Sequence, residues 1–276
     1  MTISGVLAVT KITVGWLGGS TSTVADGVES ASDVVASGVV LFGLIMAARP
    51  ADEDHPYGHG RLETLSGFTV GWLLTLVGVL IGVMAMRDHS ETHPPPQSYA
   101  AWPLVASVLM KGGLSFWKFR FARKTRSAGL QADAWNDTVD ILSGTVALCA
   151  LGLTLYDPAR FLAADHYGGL GVGLIVVYLG LRVVWETTMQ LMDTMPDSRD
   201  MTEIRRIAMM VPGALGVEKC YARKTGLQYH VDLHLEVDPQ MTVRESHDIA
   251  SDVRARIKHE LDWVADVLVH VEPHGM

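Results

Sequence analysis

Long apolar runs occupy residues 1–190 and then stop. The first, about Ile3–Gly19, would reach only about 25 Å as a helix, short of a hydrocarbon core about 30 Å thick. A second helix opens on the polar stretch Ala25–Asp33, continues through Val34–Met46 and ends before Arg49-Pro50. Leu65–Met86 predicts a third, and about Ala101–Trp117, interrupted by Lys111, a fourth. A fifth opens on Ala132–Asp140 and runs to Leu155, and about Leu170–Trp185 predicts a sixth. Polar segments separate them as loops: Ala51–Arg61, Arg87–Ser98 with its Pro94-Pro95-Pro96 run, the basic Lys118–Arg126, and Tyr156–Tyr167 around Asp157-Pro158.

Beyond residue 196 the period changes. Met201–Met210 and Thr242–Leu261 predict helices, and Gly216–Lys224, Leu227–Asp238 and Val264–Glu272 predict strands. In the second strand Tyr229, Val231, Leu233, Leu235 and Val237 alternate with His230, Asp232, His234 and Glu236, so one face is apolar and the other polar. The expected architecture is an α-helical membrane domain of six transmembrane helices at 1–195. A small α+β domain at 196–276 follows, ferredoxin-like or metallochaperone-like, with three strands and two helices.

Charge orients this arrangement. Five of the nine residues in Lys118–Arg126 are basic, against one each in Arg87–Ser98 and Tyr156–Tyr167. By the positive-inside tendency the basic loop, the 51–61 loop, the tail and both termini are cytoplasmic, in the cell membrane. No cleavable signal peptide is evident, since the first apolar run carries Lys11 and no small-residue cleavage site precedes a soluble domain. A net charge of −8 argues against nucleic acid as a partner and suits the handling of cations. Two cysteines, Cys149 and Cys220, exclude a disulfide framework and a multi-cysteine metal cluster.

Two polar stripes stand out. Ala25–Asp33 and Ala132–Asp140 both read Ala-Asp-x-x-(Glu or Asn)-x-x-x-Asp. On a helix, Asp26, Glu29 and Asp33 fall within an arc of roughly 60°, and so do Asp133, Asn136 and Asp140. Carboxylates at membrane depth are costly and are aimed at a partner, a wet cavity or an ion. Glu29, Asp33, Asn136 and Asp140 thus look like two halves of one oxygen site for a divalent cation, of the kind that suits Mn²⁺, Fe²⁺, Co²⁺ or Zn²⁺. The plainer alternative, helix-start residues at the membrane surface, fits Asp26 and Asp133.

The loop Asp52–His59 gathers three acids and two histidines in eight residues. A metal site from Asp52, His55 and His59 and a merely solvated polar loop are equal readings. His55-x-x-x-His59 lacks the glutamate base of a metallopeptidase, and Pro56 stands in its place, so no enzyme is expected. In the tail His234, His247, His270 and Glu272 are candidate ligands that no local spacing brings together. Lys111 and Arg182, in apolar spans, snorkel or pair with acids and receive no chemistry.

The stripe at 26–33, His-Pro-Tyr-Gly-His-Gly-Arg-Leu-Glu at 55–63, the stripe at 132–140 and Val-Asp-Leu-His-Leu-Glu-Val at 231–237 together resemble the cation diffusion facilitator (cation efflux) family over nearly the whole chain. The resemblance implies a homodimeric exporter in the lipid bilayer with a cytosolic domain that dimerises and often binds metal. It places the transport site at Glu29, Asp33, Asn136 and Asp140 and a loop site at Asp52, His55 and His59. The cytosolic sites fall at His234, His247, His270 and Glu272, with Glu218 where many members have histidine. Zinc-type members commonly carry histidine where this chain has Asn136, which shifts weight towards Mn²⁺, Fe²⁺ or Co²⁺ without excluding zinc. The first helix is shorter than is usual in the family, which points to a late start of the sequence.

Transport is expected as metal/proton antiport, the divalent cation being substrate and no prosthetic group being needed. Asn136 cannot titrate, so a carboxylate must carry the proton, and Glu29, with the highest ordinary pKa of the three, is the candidate. The alternative reading is a membrane-anchored metal sensor or scaffold whose tail does the work. An intramembrane hydrolase ranks third, because neither nucleophile nor general base accompanies the histidines.

Overall fold

The computed structural model describes the backbone of residues 2–88, 95–125 and 128–275. Within those helices the side chains of residues 2, 3, 88, 122, 123, 125, 128–133 and 136 lie outside the description, so Asp133 and Asn136 are placed by backbone alone. The helices are α1 (Thr2–Leu17), α2 (Thr21–Ala47), α3 (Arg61–Asp88), α4 (Ala101–Thr125), α5 (Ala128–Tyr156), α6 (Pro158–Phe161), α7 (Ala164–Leu191), α8 (Ser198–Ala208) and α9 (Val243–Glu260). The strands are β1 (Gly216–Thr225), β2 (Gln228–Val237) and β3 (Val264–Pro273). Two compact units result: residues 1–39 with 69–184, and residues 40–68 with 185–276.

In the first unit, α1 turns into α2 at Gly19, whose φ of +66° is the left-handed conformation that glycine adopts without strain. The two helices then touch backbone to backbone. A Cβ on Gly27 would lie 2.8 Å from the Ile12 nitrogen, so only glycine fits there, and this contact carries Lys11 up to Asp26. The start of α2 is held by Asp165 of α7. Its carboxylate accepts from Ser20 Oγ at 2.9 Å, the Thr21 N–H at 2.6 Å and the hydroxyl of Ser22. The first N–H groups of a helix lack intrahelical acceptors, and an anion there also meets the positive end of the helix dipole. The α3–α7 contact likewise runs through small residues. A Cβ on Gly78 would sit 2.7 Å from the Val177 nitrogen, and one on Gly180 2.6 Å from that of Thr75.

Polarity in this unit is inverted. Leu76, Leu80, Leu109, Phe116, Leu174 and Tyr178 point outward, whereas Lys11, Asp26, Glu29, Lys111 and Asp165 are buried. Burying charge while exposing large apolar side chains is the signature of a lipid environment rather than water. Among the described residues α2, α3, α5 and α7 contain stretches long and apolar enough to cross a membrane. The 16 residues of α1 are apolar but short, and α4 has the length but is less apolar.

Several helices run past their expected ends. The fourth helix continues through the basic stretch to Thr125, where a loop is expected from Lys118 onward. Lysine and arginine are good helix formers, so the basic residues mark the edge of the apolar slab and not the end of the helix. The third and sixth expected helices, α3 and α7, also extend beyond their apolar runs. The expected Asp157-Pro158 loop holds one helical turn, α6, with proline in its first turn and the Asp157 side chain capping the Arg160 N–H.

In the second unit, β1, β2 and β3 form a sheet in that order, with β1–β2 antiparallel and β2–β3 parallel across α9. Val231, Leu233, Leu235 and Val237 face a core closed by Ile204 and Ile207 of α8 and Val253 and Ile257 of α9. Thr242 and Glu245 form a reciprocal capping box that fixes where α9 starts. The β2–β3 register sets His234 beside His270 and Glu236 beside Glu272 on the polar face.

Leu233 is fully buried at the centre of this core. Leu233→Ala is expected to destabilise the domain by about 2–5 kcal/mol. Hydrogen exchange of β2 amides in the detergent-solubilised full chain measures this, and unchanged protection would refute the core assignment.

Candidate metal centres

The first cluster lies where α2 meets α5 and their neighbours α1 and α4. Glu29 is buried, and Ser143 of α5 is within hydrogen-bonding reach of it. The carboxyl groups of Asp33 and Asp140 are within hydrogen-bonding reach of each other. Asp33 Oδ2 is enclosed without a hydrogen-bond donor among the described residues. Two lysines join these acids. Lys11 Nζ lies 2.6 Å from Asp26 Oδ2 and donates to Ser30 Oγ at 3.0 Å, and Lys111 Nζ donates to Asp140 Oδ2 at 2.5 Å. Asp26 is therefore an interior ion-pair member rather than a surface helix-start residue. The Asn136 side chain, the fourth expected ligand, lies outside the described ones.

A second cluster forms in the loop before α3. Asp52 Oδ1 lies 3.0 Å from His55 Nδ1, Asp52 Oδ2 lies 3.3 Å from His59 Nε2, and the two imidazoles are 4.4 Å apart. All three residues offer ligand atoms within 4.8 Å of one another. The His55 backbone N–H, and then its side chain, hold the Asp52 carboxyl below its ordinary range, so it stays anionic. The loop rests on the β1–β2 turn. A Cβ on Gly60 would lie 2.5 Å from the Thr225 carbonyl oxygen, and Tyr57 packs edge-on to His230 with Arg223 over its ring.

The third cluster is on the polar face of the sheet. His234 Nδ1 lies 2.6 Å from Glu272 Oε1, and His270 Nε2 lies 3.7 Å from the same oxygen. Glu218, in the β1 irregularity, has its carboxyl within hydrogen-bonding reach of Glu272. That neighbour first, and His234 second, holds Glu272 below the ordinary glutamate range. His247 is exposed on α9 and does not join His234, His270 and Glu272. His274, which the sequence reading passed over, pairs with Glu236 at 2.5 Å one step along the same face.

Residues 1–192 match the family profile of the cation efflux transmembrane domain, and residues 196–274 match that of the cation efflux protein cytoplasmic domain. The chain belongs to the cation efflux family. Metal tolerance protein C1 of Arabidopsis thaliana is 31% identical over 97% of this chain, which spans only 59% of that relative's length. The manganese efflux system protein MneP of Bacillus subtilis is 28% identical over 98% of this chain and 92% of its own. The cation-efflux pump FieF of Yersinia pestis is 30% identical over 98% and 89%. The solved C-terminal domain of MamM is 28% identical, with 28% of this chain and all of that one covered, at a TM-score of 0.27. Membership in the cation efflux family, together with the apolar helices, makes this a multi-pass membrane protein.

The sequence reading left Lys111 to snorkel or to pair with an acid it did not name, and it gave Lys11 no partner; both lysines prove to be buried and ion-paired. Their signal was present: a lysine inside an apolar run, in a chain whose other runs carry acids, has few neutralising partners to choose from.

His230 supplies a pH-dependent term. Burial, and then the Arg223 guanidinium, hold its pKa below the ordinary 6.5. Between the depressed value and 6.5 the unfolded chain binds more protons than the folded one, so this stability is present above 6.5 and lost as pH falls through that window. The melting-temperature advantage of the wild type over His230→Phe should therefore shrink as pH drops from about 7 towards 6. A pH-independent gap would remove His230 as its source.

Proposed function

We propose that the protein is a divalent transition-metal exporter working by metal/proton antiport, with its cargo held between α2 and α5 by Glu29, Asp33, Asn136 and Asp140. The observation that carries this reading is the apposition of Asp33 and Asp140. Two facing carboxyl groups share either a proton or a cation, because two bare carboxylates repel. A site that holds one or the other has the exclusivity that antiport needs. Glu29, buried beside the pair, is the candidate proton carrier, and protons arriving from outside would expel the cargo.

Without an imidazole the site lacks the nitrogen ligand that suits Zn²⁺, which shifts weight towards Mn²⁺, Fe²⁺ and Co²⁺ without excluding Zn²⁺. The presence of a manganese efflux protein among the relatives supports Mn²⁺ in particular. In this reading α1 and α4 complete six spans and two copies form a homodimer. The basic end of α4 stays in the cytoplasm with both termini, and the chain resides in the cell membrane. The loop cluster and the sheet cluster bind metal from the cytoplasm, with Glu218 supporting Glu272 and His247 outside that group. Their chemistry is ligation and not hydrolysis.

Uptake into inside-out vesicles under a proton gradient, with Mn²⁺, Fe²⁺, Co²⁺ and Zn²⁺ in turn, tests the proposal. Flux of one or two of these ions is expected, lost in Asp33→Ala and in Asp140→Ala, and uncoupled from pH in Glu29→Gln. Flux that survives both aspartate variants would sink the site. Absence of flux with metal still bound by the tail histidines would favour a membrane-anchored sensor.

A further inference from the structure

Lys111 stands near the middle of α4, a 25-residue helix, with its side chain 9% exposed. Lysines near a helix end extend towards the interface. This one instead turns inward and places its ammonium 2.5 Å from Asp140 Oδ2, with Asp33 and Glu29 in electrostatic reach. The other buried lysine differs in its partner. Lys11 is bound to Asp26 and Ser30, neither of them in the proposed ligand set, and those two charges cancel. Lys111 is paired with a carboxylate that the cargo itself must use.

The charges decide what this pairing does. Glu29, Asp33 and Asp140 together carry three negative charges when ionised. One lysine and one divalent ion neutralise them, whereas a divalent ion alone leaves an excess negative charge that would hold it tightly. In a medium of low dielectric such an imbalance is costly, and a fixed positive charge a few ångströms from the ion weakens its binding. A transporter gains from that weakening, since an ion bound too firmly is not released.

We propose that Lys111 is the resident counter-cation of the transport site: its ammonium occupies the Asp140 oxygen when cargo is absent, gives up that oxygen when a divalent ion binds, and recaptures it as the ion leaves. The inference rests on the transport-site reading above. The lysine keeps its proton throughout, and only its partner changes. Lys111 is then a positioning and specificity-determining residue. It tunes the site to ions of charge two and trades affinity for release.

The test uses the full chain in detergent and in vesicles, with Mn²⁺ and Zn²⁺ as probes. Equilibrium binding against a competing chelator is read as the component that Asp33→Ala abolishes, which separates this site from the loop and tail clusters. In Lys111→Met and Lys111→Gln that component should tighten at least about tenfold, while vesicle uptake shows KM and kcat falling together. Lys111→Arg, which keeps the charge, should stay within about threefold of wild type. A merely structural lysine would lower kcat without tightening binding. Unchanged or weaker binding in either folded neutral variant, or tightening in Lys111→Arg equal to that in Lys111→Met, would overturn the role of Lys111 and leave the transport site standing. A wild type with no Asp33-dependent component would overturn the site and this inference with it.

Discussion

A charge inside an apolar slab has to be neutralised where it stands, and the helical part of this protein is arranged around that requirement. Each of the two helices that carry an acid stripe is preceded in the chain by a helix carrying a lysine: α1 brings Lys11 to Asp26 of α2, and α4 brings Lys111 to Asp140 of α5. The two hairpins repeat the device in different registers. In the first, the lysine meets the acid nearest the start of the stripe and leaves Glu29 and Asp33 for other partners. In the second, it meets the last acid of the stripe, which faces Asp33. The offset gathers the uncompensated carboxylates of α2 around the half-compensated Asp140, which is where a mobile cation has the most to gain.

Such a cluster needs a frame that does not relax around it. Part of the frame is itself polar. Asp165 caps the start of α2 from α7, satisfying N–H groups that have no acceptor within the helix. The rest is close contact. Glycines at 27, 78 and 180 let helices meet at their backbones, and a larger side chain at 27 would pull Lys11 and its acid out of reach. The apolar faces turned outward contribute little to helix–helix attraction in lipid, which is why small residues and hydrogen bonds carry that task.

The legible parts of the structure are those written in a short period. The acid stripes follow from the helical repeat, and the alternation along β2 marks Val231, Leu233, Leu235 and Val237 as core. Asp52, His55 and His59 meet because they are close in the chain. What could not be read depends on long-range register. His234 reaches Glu272 only through a parallel pairing across α9, and nothing local shows that His247 lies outside the group. The partner of Lys111 is hidden for the same reason, since 29 residues separate it from Asp140. The end of α4 was misplaced because polarity locates the membrane boundary and only secondarily the helix boundary.

The three clusters differ in ligand chemistry in a way that fits the tasks proposed for them. The intramembrane set has carboxylates and, by sequence, one amide, with no imidazole. The loop and sheet clusters each pair two imidazoles with a carboxylate. Nitrogen ligands raise affinity for later first-row ions such as Zn²⁺, whereas oxygen ligands discriminate less and hold more weakly. Weak holding suits a site that must empty on every cycle, and a lysine already seated on one ligand weakens it further. Tight holding suits a site that reports how much metal is present and need not release it. On the proposed reading, neither the loop cluster nor the sheet cluster is therefore a guide to the cargo: an ion that fills them at low concentration is the one their imidazoles prefer, and the carboxylates between α2 and α5 make a separate choice.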